Sequence, residues 1–234
     1  MNIFQFLISN IDSYCERIDF TLLSEPLNFF SNFFFIISAI LIQFDPKIRQ
    51  KKITEISQYK IDLWLIRLMY AIGVGSGLFH FFANRLTQIL DVVPIGMYII
   101  LYLWHWFRHL MIIPDRVSLF YVGIWCGLTM IFTHYLKDYP LGGSQSYLSV
   151  ALFLPFMGIY QLRRGGSYLL LTAAILFNAS LFFRSIDPYV CTCWPYGTHF
   201  LWHLLNSLVL YFSTLNSLQL KEKLLNPSCF SPKS

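Results

Sequence analysis

Seven stretches of this 234-residue chain read as apolar runs of the length expected to cross a bilayer, and no other feature restricts its fold so severely. Within hydrocarbon every peptide group must be satisfied internally, and runs of about 17 to 25 residues do this as helices. The runs cover residues 27–44, 62–82, 88–112, 117–136, 145–162, 167–183 and 197–218. The links between them are short apart from KIRQKKITEISQYK and RSIDPYVCTCWPY. The expected fold is therefore all-α, an up-and-down seven-transmembrane helix bundle, with an N-terminal segment 1–26, a bundle 27–218 and a tail 219–234. Composition agrees, at 56% hydrophobic and only 12% charged residues with a mean hydropathy of +0.55. The opening MNIFQFLISN lacks a basic n-region and a long apolar core, so the first span is expected to do the targeting.

Basic residues set the orientation. Arg17, Arg85, Lys137 and Arg184 fall on one side, Arg67 lies within the second run, and the other 12 of the 17 lysines and arginines fall on the opposite side. The positive-inside rule then places the N-terminus outside the cytosol and the C-terminus in it. The net charge of +5 reports topology in this way and calls for no nucleic-acid partner.

That topology gathers chemistry at one depth. His80 closes the second run, Asp91 opens the third, and His199 and His203 open the seventh, all near the extracytosolic (periplasmic or luminal) end. In THFLWHLLN the two histidines stand at i and i+4, so both imidazoles face one metal ion, and His80 can supply a third nitrogen. Three protein ligands leave a fourth zinc position for water, whose pKa falls to about 7. The Glu of an HExxH helix is missing, so the base is expected from Asp91, a carboxylate that costs roughly 2.5–3.5 kcal/mol within a membrane unless it is paired or hydrated. Ser76, one turn before His80, can donate to an oxyanion. Pro94 is expected in the first turn of the third helix, where its missing N–H costs little. Interior histidines are often merely satisfied core groups, but three of them with an aspartate and a serine at one depth favour a site.

Other groups read differently. His105 and His109 in HWFRH share the i, i+4 spacing but lie at the inner end beside Trp106 and Arg108, as an interfacial belt does, and His134 is expected at the interface too. Cys15, Cys191 and Cys193 fall on the extracytosolic side, where a bridge from Cys15 to either of the pair can persist; Cys126 lies within a span and Cys229 in the tail. The run IDSYCERIDFTLLSEPLNFFSN concentrates Asp12, Glu16, Asp19 and Glu25, oxygen ligands of the kind a hard cation takes. The same run also reads as a solvated segment in which Glu25 and Asn28 start the first helix, and no EF-hand loop is present.

YCER followed by EPLNFFSN, then GVGSGLFH with QILDVVP, then GTHFLWHLLN, occur in this order across nearly the whole chain. In these residues the sequence resembles the alkaline ceramidase family, within the wider superfamily of seven-span hydrolases and receptors that includes the adiponectin-receptor-like proteins. The resemblance implies a zinc amidase that cuts the N-acyl bond of ceramide to a sphingoid base and a fatty acid, acting on a membrane lipid with no protein partner. It implies Zn2+ on His80, His199 and His203, with Ser76 as oxyanion partner and Asp91 as acid/base. It also implies Ca2+ on the N-terminal segment, where Tyr14 through its carbonyl, Glu16 and Glu25 match. Ser13 and Ile18 stand where Asp and Asn are usual, with Asp12 and Asp19 adjacent. A disulfide from the N-terminal cysteine to the last outer loop is usual as well, and the spacing of Asp187 and Cys191 favours Cys191 over Cys193. Two alternatives keep the same histidines: a hydrolase of glycerophospholipid acyl chains, and a non-enzymatic seven-span receptor with a structural zinc. The adiponectin-receptor-like branch usually has a cytosolic N-terminus, against the basic-residue count here. The run 197–218 holds no lysine for a retinal Schiff base.

Overall fold

The architecture is taken from a computed structural model, which describes residues 2–45, 56–109 and 111–225. It is built of helices: α1 Ile3–Leu7, α2 Pro26–Ser31, α3 Phe33–Gln43, α4 Ile56–Phe82, α5 Arg85–His109, α6 Asp115–Tyr135, α7 Leu148–Arg163, α8 Leu169–Val190 and α9 His199–Leu225. No strand occurs among the described residues, and a single bridge pairs Asn10 with Asn84. Lys47, Arg49, Lys51, Lys52, Cys229 and Lys233, which entered the reading of orientation and cysteines, lie outside the described residues.

Among the described residues five stretches are long and apolar enough to cross a membrane: Pro26–Gln43, Ile61–Phe82, Arg85–His109, Asp115–Tyr135 and Leu169–Val190. The other two expected spans fall short for different reasons. Helix α7 has only 16 residues. Helix α9 is 27 residues long, but His199, His203, Asn206, Ser207, Ser213, Thr214, Asn216 and Ser217 interrupt its apolar run, and all are buried. Its low hydropathy is the consequence of an inward face built from polar groups. Helix α6 shows the opposite pattern, with Leu119, Phe120, Ile124, Leu128, Met130 and Ile131 all exposed. So continuous an apolar surface is suited to hydrocarbon and marks a membrane protein.

The core is made by Phe35, Leu65, Met69, Ile72, Trp106, Leu170, Ala173 and Ala174, each nearly or wholly shielded from solvent. The α4–α5 pair sets the position of the site. Asn84 caps α5 by accepting from the Thr87 N–H at 3.0 Å, so the helix starts at Arg85. Asp91 thus lies in the second turn of α5, and Pro94 lies inside the helix, not in its first turn as the sequence suggested. Pro94 has no N–H to offer the Leu90 carbonyl. Gly75 of α4 packs on that same carbonyl, so closely that any Cβ at Gly75 would overlap it. The missing side chain and the freed carbonyl together bring the two helices into backbone contact beside Ser76 and Asp91.

Residues 2–25 form a strap across this end of the bundle. The Ile11 N–H donates to the Ala83 carbonyl at 2.8 Å, and the Arg85 N–H donates to Ser9 at 3.2 Å, so the strap crosses the α4–α5 turn. It is then fixed to the far side by a Cys15–Cys191 disulfide, with the two Cα atoms 5.0 Å apart. Cys193 is a free, exposed thiol, and Cys126 is free within α6.

Candidate metal centre

His80 ends α4, and His199 and His203 occupy the first two turns of α9, so three imidazoles meet between two helices that are remote in sequence. All three are buried, and one ligand atom from each lies within 4.8 Å of the others. Ring centroids stand 4.6 Å apart for His199 and His203, 4.8 Å for His80 and His203, and 5.3 Å for His80 and His199. The hydrogen bonds decide which nitrogens are available. His80 Nδ1 meets Glu25 Oε2 at 2.5 Å, and His203 Nδ1 meets Ser31 Oγ at 2.7 Å. Each bond fixes the ring and directs its Nε2 elsewhere, the arrangement in which metal-binding histidines are usually held. His80 Nε2 and His199 Nδ1 are shielded from solvent and make no hydrogen bond. Buried polar atoms without partners are costly, so orphaned nitrogens converging on one point fit a metal ion.

Helix α9 enters this position through Asp187. Its Oδ1 accepts the Thr198 and His199 N–H groups at 2.6 and 2.9 Å, an N-cap supplied from α8. Its Oδ2 accepts the Cys15 N–H at 3.1 Å, so one carboxylate ties the strap to the first ligand of α9. Gly197 lies between them with a φ of +63°, and a side chain there would collide with Asp187 and Cys15.

Ser76 and Asp91 lie beside the histidines, as the sequence suggested. Ser76 is buried near the Asp91 carboxylate, which is within electrostatic reach of His80. The Asp91 Oδ1 is shielded and takes no hydrogen bond. A carboxylate oxygen and two imidazole nitrogens are therefore left open around one space.

The described residues of the strap give the expected calcium site no support. Among the described residues the histidines form the one cluster that could hold a metal, and Glu16, Asp19 and Glu25 form none. Glu16 accepts the Leu27 and Asn28 N–H groups at 2.6 and 2.9 Å, as a cap on α2. Asp19 accepts from the Thr21 N–H and hydroxyl at 2.9 and 2.6 Å, bonds that hold its carboxyl below the usual range. The Tyr14 carbonyl takes the Arg17 N–H at 3.1 Å. Glu25 is bound on both oxygens, by Arg17 Nε at 2.5 Å on one and by His80 and Asn28 on the other. Burial pushes the Glu25 carboxyl up, but His80, then Asn28 and Arg17, outweigh it and hold the group below the usual range. Arg17 stands among these oxygens. Its guanidinium is buried and also donates to the Asp19 and His80 carbonyls at 3.0 Å each, so the positive charge among these oxygens belongs to the chain itself.

Sequence reasoning missed three participants. Arg17 and Arg184 were only counted as charges, and Ser31 was not singled out. Tyr14 contributes its ring as well as its backbone, stacked on His199 with centroids 3.7 Å apart. Burial pushes its hydroxyl up to about 12. Next to the centre is an apolar cavity of about 80 Å³, whose lining includes Phe35, Ile72, Tyr102, Tyr147, Met157 and Trp202. The Phe35 ring stands 6.4 Å from that of His203, so cavity and centre are neighbours. Below Tyr102 the polar groups of Asn216 and Gln161 bond to each other, and Asn216 donates to the Tyr102 hydroxyl at 3.3 Å. The inner pair His105 and His109 lies apart from this centre, with rings 4.5 Å from each other.

A search of curated proteins found no match to this sequence. The family model described as Ceramidase matches residues 8–228, which takes in most of the strap, the three histidines, Ser76 and Asp91. With a match over nearly its whole length, the chain belongs to the ceramidase family.

Proposed function

We propose that this protein is a zinc-dependent amidase of membrane lipids that hydrolyses the N-acyl bond of ceramide. One observation carries the reading: three buried imidazoles, two of them with an orphaned nitrogen, lie beside an unpaired carboxylate oxygen of Asp91 and next to an apolar cavity. Three nitrogen donors with a fourth position open are the donor set of a catalytic zinc. When bound, zinc supplies a Lewis acid for the carbonyl and lowers the pKa of water. The residues divide the remaining work. Asp91 removes a proton from the attacking water and returns it to the leaving nitrogen, so the amide bond breaks to a free acid and a free amine. The Ser76 hydroxyl donates to the carbonyl oxygen as charge builds on it. Phe35, Trp202 and Tyr147 lead the acyl chain into the cavity, away from water.

We further propose that seven helices span the membrane, with α7 and α9 crossing as inner, protein-packed members. The basic-residue asymmetry supports an extracytosolic centre, and a disulfide at the same end agrees with it.

The test is hydrolysis of a ceramide panel beside glycerophospholipids by detergent-purified protein, with zinc content measured on the same sample. The expected result is fatty acid release from ceramide that is lost on chelation. Asp91→Asn is expected to retain zinc and the fold while turnover falls by about 10²–10⁴-fold. Release from glycerophospholipids instead moves the reading to an esterase, and stoichiometric zinc without release from any lipid moves it to a receptor.

A further inference from the structure

Arg184 lies on α8 one turn before Asp187, and the chemistry above makes no use of it. Its guanidinium sits among three rings, 5.1 Å from the centroid of Trp202, 5.5 Å from Tyr147 and 5.8 Å from Tyr14. One terminal nitrogen donates to the Tyr14 hydroxyl at 3.2 Å. Its Nε is shielded from solvent and makes no hydrogen bond. Among the described residues no ion pair brings a carboxylate into contact with Arg184. Aromatic faces and a phenol lower the cost of holding a cation here, and Asp91 acts on it from a distance, but no carboxylate is in contact with the guanidinium.

The three rings also fix where this cation stands. Tyr14 is stacked on His199, while Tyr147 and Trp202 line the apolar cavity. The guanidinium is therefore at the junction of the metal centre and the cavity, with a donor to spare. A molecule that completes it needs a hydrocarbon chain for the cavity and a planar anion at the end of that chain. The guanidinium fork matches a carboxylate in shape and charge. A neutral amide brings no such charge, whereas the acid released from it does.

We infer that Arg184 is a carboxylate subsite that holds a free fatty acid by its head while the chain occupies the cavity. The inference rests on the acyl-lipid reading above, since it takes the cavity as the place of the chain. Binding at Arg184 gives the acid a station beside the metal, so the acid product competes with the next substrate and leaves more slowly than a neutral lipid of equal length.

The experiment compares palmitate with hexadecanol in equilibrium binding to the purified, metal-containing protein and to Arg184→Gln and Arg184→Lys. Wild type is expected to prefer palmitate, and Arg184→Gln is expected to lose at least about tenfold of that preference. Hexadecanol binding reports cavity and fold in each sample. Arg184→Lys keeps the charge without the fork and is expected to fall between. A wild-type preference ratio in Arg184→Gln, or equal binding of acid and alcohol by wild type, overturns the inference. If Arg184→Gln loses hexadecanol binding as well, Arg184→Lys decides, a reduced ratio upholding the subsite and an unchanged one removing it. Ceramide turnover on the same samples judges the amidase reading separately, so either can fail while the other stands.

Discussion

Glu25 shows most directly how one side chain can carry more than its type reveals. Its two oxygens join Arg17, eight residues back, to His80, 55 residues ahead. The carboxylate accepts from the imidazole Nδ1, which sets the tautomer and leaves Nε2 as the ligand. Glu25→Gln preserves size but faces the guanidinium or the imidazole with an amide donor. Metal affinity is expected to fall about 10–100-fold, measured by competition with a chelator, while the melting temperature of the metal-loaded protein shows whether the fold persists. An unchanged affinity would remove Glu25 from the metal centre. In the sequence this residue looked like an oxygen ligand for a cation. It does meet one, but the cation is Arg17, and no local spacing announces that pairing.

Among the elements, the α4–α5 contact has the most direct consequence for the chemistry. Pro94 frees the Leu90 carbonyl, and Gly75 lets α4 approach it. Ser76 and Asp91, each adjacent in sequence to one member of that contact, are thereby brought together. Gly75→Ala forces the helices apart at this point, an overpacking cost of about 1–3 kcal/mol. The expected outcome is a lower melting temperature together with a loss of turnover that exceeds the loss of folded protein, with metal content retained because the histidines lie elsewhere on α4 and on α9. Full activity in a destabilised Gly75→Ala protein would show that the Ser76–Asp91 position does not depend on this approach. Helix α9 teaches a related point about length and polarity. Its i, i+4 histidines were legible because both lie on one helix, yet its inward polar residues lower its hydropathy below that of its neighbours.

At the scale of the molecule, the strap closes the end of the bundle where the centre lies. It is fixed at the α4–α5 turn by Ile11 and Ser9, at α9 through Asp187, and at residue 191 by the disulfide. Cys15→Ser releases the last of these and is expected to make residues 2–25 more susceptible to limited proteolysis. Because the strap carries Arg17 and leads into Glu25, faster loss of metal to a chelator is expected in the same protein. Proteolysis and metal retention identical to wild type would assign the bridge no part in holding the centre.

The sequence by itself determined the helical class, the apolar character that requires a lipid environment, and the types of residue at the centre. These rest on periodicity, run length and i, i+4 spacing, which are properties of a chain read over a few turns. It could not determine that Arg17 would stand among the strap's oxygens, that Asp187 would cap the helix bearing His199, or that Arg184 would stand beside a cavity with no carboxylate in contact. Each of those depends on groups brought together from distant parts of the chain. Only the packing of helices against one another, and of the strap across them, decides which charges meet and which are left open.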